Sequence, residues 1–152
     1  MVSPQSITLR IMHTDDLAAV CAIEKQVQYA PWSEKLFAEG LERHRCIVAI
    51  NQQQQIVGFS IVQFIVDEAH LLNIAVEPTQ QKQGIGKVLL DDVLVNSQQK
   101  KASTIFLEVR ESNQRAIQLY QAAGFNEIGL RKNYYPTAQG KEHAVIMALM
   151  IF

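Results

Sequence analysis

Apolar and polar positions change their period several times along the chain. SITLRIM (6–12) alternates in part and predicts a first strand. Thr14 is suited to cap a helix, with Asp15 and Asp16 in its first turn. Leu17, Val20, Cys21, Ile23 and Val27 then follow helical spacing. Pro31-Trp32-Ser33 interrupts the pattern, and Ser33 can cap a second helix to about Arg43, with Leu36, Phe37 and Leu41 on one face. RCIVAI (45–50) and IVGFSIVQFIV (56–66) read as strands joined by the polar NQQQQ. LLNIAVE (71–77) is a further strand, followed by Pro78 and a helix from Gly84–Gly86 to about Lys101. STIFLEVR (103–110) is almost continuously apolar, as a strand inside a sheet should be. Asn113 caps a helix through Ala123, Gly124 ends it, and two last strands fall near 125–135 and 142–151. The resulting order is β-α-α-β-β-β-α-β-α-β-β. Its β-α-β piece over 71–110 predicts two parallel strands in an otherwise antiparallel sheet.

Composition narrows this picture. The chain has 152 residues, 48% apolar and 19% charged, which fits one globular domain over 1–152. Lysine plus arginine is 14 and aspartate plus glutamate is 15, so the net charge is −1. No strong field favours nucleic acid or an anionic membrane. Cys21 and Cys46 form no CxxC pair and read as reduced, buried small apolar residues. MVSPQSITLR has no apolar core of signal-peptide length, and no apolar run approaches a membrane span, so cytoplasm is the expected compartment. His13, His44, His70 and His143 have no paired-ligand spacing, and no metal is expected. DEAH (67–70) spells a helicase box, but no Walker lysine followed by serine or threonine accompanies it.

The stretch QKQGIGKVLL (81–90) carries the first chemical signal. A glycine-rich helix start after a strand exposes backbone N–H groups with no intrahelical acceptor, and the helix dipole adds partial positive charge. That combination suits phosphate, and glycine lets it approach closely. Lys82 and Lys87 can add charge. A Walker loop is excluded because Val88 follows Lys87, and a dinucleotide fingerprint because Leu89 stands where a third small residue is needed. A loop-to-helix junction with two flexible residues is the plain alternative.

With its neighbours, this stretch resembles the GCN5-related N-acetyltransferase (GNAT) superfamily, whose acetyl-CoA motif Q/R-x-x-G-x-G/A matches Gln81-Lys82-Gln83-Gly84-Ile85-Gly86. PWSEK (31–35), DEAHLLNIAV (67–76), LEVRESN (107–113), AIQLYQAAGF (116–125) and RKNYYP (131–136) are together similar to RimI-like enzymes, which acetylate the N-terminal alanine of a small-subunit ribosomal protein, number eighteen. The resemblance implies an α/β protein of the α+β type: a mixed, mostly antiparallel sheet of about six to seven strands flanked by about four helices. It implies acetyl-CoA as cosubstrate, with Lys82, Gln83, Gly84, Ile85, Gly86 and Lys87 on the pyrophosphate. It also implies that Ile74, Ala75 and Val76 lie along the pantetheine arm like an added strand. Partners would be acetyl-CoA and the N-terminal peptide of a ribosomal protein, met by a monomer or weak dimer without direct nucleic-acid contact. One departure is Lys101-Ala102, where the family pattern leads us to expect a glycine turn.

Acetyl transfer needs a neutral amine, a place for the developing oxyanion and a proton for the leaving thiolate. An α-amine has a pKa near ~8, against ~10.4 for lysine, so an N-terminal substrate asks less of a base. Glu108 sits inside the apolar strand, on the same face as Phe106 and Arg110. A carboxylate among apolar neighbours holds its proton more tightly, which suits a general base; pairing with Arg110 or another cation is the structural alternative. The resemblance makes Glu108 the proton acceptor, directly or through a water, and Tyr120 the proton donor, although Tyr120 shares a helix face with Ile117 and Gly124 and core packing would also explain it. Asn113 is first a helix cap, and by resemblance also a partner of the pantetheine arm. The family geometry puts the oxyanion at a backbone N–H near Val76. Trp32, Tyr134 and Tyr135 can line a peptide groove or pack as ordinary aromatics. An acetyltransferase for another amine and a non-catalytic CoA-binding module remain open, the latter disfavoured by having both Glu108 and Tyr120.

Overall fold

The computed structural model describes residues 6–81 and 84–151. Seven strands form one sheet: β1 (Thr8–Ile11), β2 (Arg45–Ile50), β3 (Ile56–Ile65), β4 (Glu68–Val76), β5 (Thr104–Arg110), β6 (Asn126–Thr137) and β7 (Gly140–Met150), in the order β1-β2-β3-β4-β5-β7-β6. Helices α1 (Leu17–Val27), α2 (Glu34–Arg43), α3 (Ile85–Gln99) and α4 (Gln114–Ala122) cover it. Every neighbouring pair is antiparallel except β4 and β5, which are joined through α3 and run parallel. This is the mixed sheet the resemblance implied. Among the described residues, no helix is long and apolar enough to cross a membrane.

The helices form two clusters against the sheet. Leu17, Val20 and Ile23 of α1 and Phe37 of α2 pack against Val48, Phe59 and Ile61. Leu90 and Val93 of α3 and Ile117 and Tyr120 of α4 pack against Ile105, Leu107, Val145 and Met147. The central strands lie between these layers, so β3 is buried at six consecutive positions, Val57–Val62.

Local capping follows the sequence in two places and departs from it in one. The Ser33 side chain accepts from Leu36 N at 3.1 Å, and the Asn113 side chain accepts from Ala116 N at 3.2 Å. Thr14 does not cap α1. Thr14–Asp16 forms a short 3-10 turn instead, because the Asp16 carboxylate accepts the His13 N–H at 2.7 Å and pairs with Arg10 at 2.7 and 2.9 Å. Strand β4 begins at Glu68, earlier than hydrophobicity suggested, because Glu68 already pairs with Ile65 on one side and Thr104 on the other. The DEAH stretch is thus mostly strand. Cys46 is buried as expected, whereas Cys21 is only partly so.

The Lys101 loop keeps the left-handed turn that a glycine would favour, with Lys101 at φ 62°. Its neighbours hold it there. Lys101 N donates to Gln98 O, Ala102 is buried, and Ser103 N donates to Asp67 O at 2.7 Å.

Arg10 holds the Asp16 carboxyl below the usual carboxylate range, chiefly by their hydrogen bond. A depressed folded-state pKa gives stability that is present above the unfolded value, ~3.9, and lost as pH falls through the folded value. Asp16→Asn should therefore destabilise the fold at pH 7 by about 1 kcal/mol or less, because Arg10 is part-exposed, and lower the melting temperature accordingly. The gap from wild type should close as the pH drops below about 4. Melting curves across that range check this; a gap that stays constant would refute it.

Candidate active site

Parallel pairing of β4 with β5 covers only Glu68–Leu71 against Thr104–Leu107. Beyond it each strand keeps its outer partner: β4 pairs with β3 as far as Val76↔Gly58, and β5 with β7 as far as Arg110↔Ala144. The cause lies in β4. Ile61 faces Asn73 and Val62 faces Leu71, so Leu72 is an extra residue, a β-bulge that bends the strand. The bulge also switches faces. Ala69 and Leu71 lie in the α3–α4 cluster, whereas Ala75 lies in the α1–α2 cluster.

The separation leaves a cavity of about 180 Å³ between the two strands. Glu108 and Tyr120 both border it. Leu107 and Val109 pack on the α4 side with Tyr120, so alternation turns Glu108 to the opposite face of β5. The carboxylate and the phenol thus reach one gap from opposite sides of the sheet.

The surroundings of Glu108 are not the apolar ones expected. Its Oε1 lies 3.0 Å from Arg131 Nε, and the side chain is 29% exposed. Arg110, the alternative partner, is committed elsewhere: it donates to Pro136 O at 2.9 Å and to Glu142 at 3.2 Å, and lies 4.5 Å over the Tyr135 ring. The reason is placement. Arg131 precedes an irregular stretch of β6, where Arg131↔Ala144 is followed by Tyr135↔Glu142.

Tyr120 is 5% exposed and packs 5.9 Å from Phe125, so the core role is real. Burial, with a smaller push from Tyr135, raises its phenol above the ordinary value. It stays protonated at neutral pH, the state a proton donor needs. Tyr135 also borders the cavity and is pushed up to about 12, by burial first and then by Glu108. Trp32 and Asn113 border it as well, Trp32 while packing 5.2 Å from Phe37. Tyr134 is 48% exposed and sits outside the lining, edge-on to Tyr135 at 5.0 Å with Arg131 over its ring.

The residues expected to hold the cosubstrate lie along and beyond one edge of β4. Ile74 borders the cavity; Ala75 and Ile85 bury their side chains in the core, so only their main chain can face a ligand. Val76 packs against the α3 cluster and its carbonyl accepts from Gln81 Nε2 at 3.2 Å. The strands part after Leu71, and Val76 lies further along the stretch of β4 that has no β5 partner; Leu72, Asn73 and Ile74 border the cavity.

Gly84 is the residue before α3 and has φ 83°, a left-handed conformation that glycine adopts without strain. Val88 N donates to Gly84 O at 3.1 Å, so the N–H groups upstream of Val88 have no intrahelical acceptor. A Cβ on Gly86 would meet only Leu119 Cδ2 at 3.4 Å and Val76 Cγ2 at 3.8 Å. The protein itself has room for a Cβ there. Lys87 Nζ is turned toward Asp91 at 2.8 Å, an exposed pair. Lys82 and Gln83 lie outside the described residues.

Three residues of the site had not been singled out from the sequence. Arg131 has no sequence signal, since its register against β7 is set by an extra residue between Glu127 and Gly129 that the pattern does not reveal. Asn73 depends on the bulge. Glu24 did leave a signal: a glutamate within the apolar stripe of α1 between Val20 and Val27. It is 1% exposed and borders the cavity.

The family model described as Acetyltransferase (GNAT) family matches residues 16–125. The chain is 43% identical over 144 residues to the [ribosomal protein bS18]-alanine N-acetyltransferase of Escherichia coli K12, covering 95% of this chain and 97% of that one. It is 41% identical over 134 residues to the protein of that name from Haemophilus influenzae, covering 88% and 91%. A crystal structure of the ribosomal-protein-S18-alanine N-acetyltransferase from Escherichia coli superposes with a TM-score of 0.89, covering 95% of this chain and 94% of that one. With a seven-stranded sheet that opens beside a glycine-led helix, the chain belongs to the GNAT acetyltransferase family.

Proposed function

We propose that the protein is an N-α-acetyltransferase that moves an acetyl group from acetyl-CoA to the N-terminal alanine amine of a small-subunit ribosomal protein, number eighteen. One observation carries the reading: a carboxylate and a buried phenol meet in the gap where β4 loses its partner. The relatives at 41–43% identity, named for this reaction, support the substrate.

In this reading the unpaired edge of β4 at Ile74, Ala75 and Val76 takes the pantetheine arm as a β-strand takes an added neighbour. Asn113 hydrogen-bonds the same arm, and the backbone donors at Gly84–Lys87 take the pyrophosphate, with Lys82 and Gln83 beside them. The peptide enters past Trp32, Tyr134 and Tyr135. Glu108 accepts the amine proton, directly or through a water, as the C–N bond forms. A backbone N–H on the unpaired edge of β4, near Val76, meets the oxyanion. Tyr120 gives its proton to the thiolate as the C–S bond breaks. The α-amine needs little help to become neutral, which fits a base whose neighbour is a guanidinium. The enzyme works in the cytoplasm, as a monomer or weak dimer, without touching nucleic acid directly.

A peptide beginning Ala-Arg should be acetylated, while the same peptide with a blocked N-terminus and a free lysine should not. Release of CoA thiol with the lysine peptide alone would overturn the proposed substrate. Glu108→Gln and Tyr120→Phe should each lower kcat by about 10²–10⁴-fold, with acetyl-CoA affinity by calorimetry near wild type. Full turnover in either folded variant would remove that residue's role. Gly86→Ala should keep its melting temperature within a few degrees yet raise the KM for acetyl-CoA about tenfold or more, because the added methyl takes space that the protein leaves open. An unchanged KM would rule out a ligand there.

A further inference from the structure

The cavity has a second carboxylate, and none of the steps above uses it. Glu24 projects from the buried face of α1 and is 1% exposed. Among the described residues it has no salt bridge. Two donors hold it instead. Trp32 N–H reaches Oε2 at 3.0 Å, and Asn73 Nδ2 lies 3.1 Å from each carboxylate oxygen. An acid taken out of water without a cation is costly, and burial does raise its pKa, with the two hydrogen bonds opposing. Such a group usually has a specific task.

Its two donors suggest that task. Asn73 follows the extra residue Leu72, so the bulge is what turns its amide toward α1. Trp32 lies in the connection from α1 to α2 and lines the cavity, as Tyr135 does. One carboxylate therefore ties the bent part of β4, which borders the cavity, to the segment past which a peptide must enter.

We infer that Glu24 is a positioning residue that joins the β4 bulge, through Asn73, to the Trp32 segment, and so sets the acceptor-side geometry of the cavity. The kinetic part rests on the acetyltransferase reading; the geometry does not. A displacement of about 1 Å at a reacting centre costs on the order of 100-fold in rate, so a carboxylate that touches neither substrate can still govern turnover.

The test exchanges donor and acceptor. Asn73→Asp alone sets two carboxylates against each other in a buried contact. Adding Glu24→Gln restores pairing, since the glutamine amide donates to the new aspartate. Glu24→Leu removes the link. For Asn73→Asp and Glu24→Leu, kcat/KM for an Ala-Arg peptide should fall about 10- to 100-fold, while the KM for acetyl-CoA stays within about twofold. The double variant Glu24→Gln/Asn73→Asp should recover most of the loss. Trp32 is the only tryptophan in the chain, so its fluorescence reports the segment without any turnover. Acrylamide quenching should rise in the two single variants and return in the double.

A double variant no better than Asn73→Asp in both assays would overturn the inference. So would unaltered quenching in Glu24→Leu, or equal changes in the peptide and acetyl-CoA parameters. If Glu24→Leu fails to fold, the exchange pair decides alone. If wild type acetylates no free α-amine, the functional reading fails while the quenching series still tests the link.

Discussion

From Leu72 to Val76 the backbone of β4 has a strand partner on one side only. Inside a sheet this is an unusual state, because main-chain donors and acceptors need partners. An edge of this kind is normally found at the border of a sheet, where water serves it. Here a single extra residue at Leu72 creates it in the middle, between strands that are fully paired on their outer sides. The rest of the site follows. The gap admits Tyr120 from the α4 layer and Glu108 from the opposite face of β5, and its floor is the parallel ladder that ends at Leu71↔Leu107. Two walls of this pocket are strands, β5 being packed by Leu107, Val109 and Met147, and the α1–α2 connection with Trp32 supplies another.

Charge is arranged around the gap with little left loose. Glu108 faces Arg131, Glu142 faces Arg110, and each arginine also lies over a tyrosine ring. These contacts fix β6 and β7 against the end of β5. Ser112 N–H donates to Glu142 at 3.0 Å, which brings the start of α4 into the same network. Helix α4 carries Tyr120, so the position of its phenol depends on a cluster two turns away. Glu24 differs from the other acids here, because neutral donors hold it.

Much of this was legible in the chain. Strand β2 is RCIVAI (45–50), as the apolar run indicated, and the caps at Ser33 and Asn113 are where hydrogen-bonding side chains precede helical spacing. The parallel pair followed from a strand, a helix and a strand in succession. Pattern failed where one residue changes the register. Alternation through LLNIAV gives no sign that Leu72 is extra, so neither the parting of the strands after Leu71 nor the turn of Asn73 toward α1 could be read. The partner of Glu108 was hidden for the same reason, since Arg131 reaches it across an irregular β6. At Lys101 the chain shows the reverse case: a glycine-like backbone held in place by surrounding hydrogen bonds, with a residue that gives no hint of it.

The irregular stretch of β6 has one more effect. Strand β6 is one of the two borders of the sheet, 12 residues long, with Ile128 and Leu130 exposed. A flat border of that length and greasiness would invite a second molecule to add its own strand and begin stacking. The register break between Arg131 and Tyr135, and Pro136 with no N–H to offer, spoil that template. The break just past the arginine that faces Glu108 thus also makes this border a poor template for a second chain.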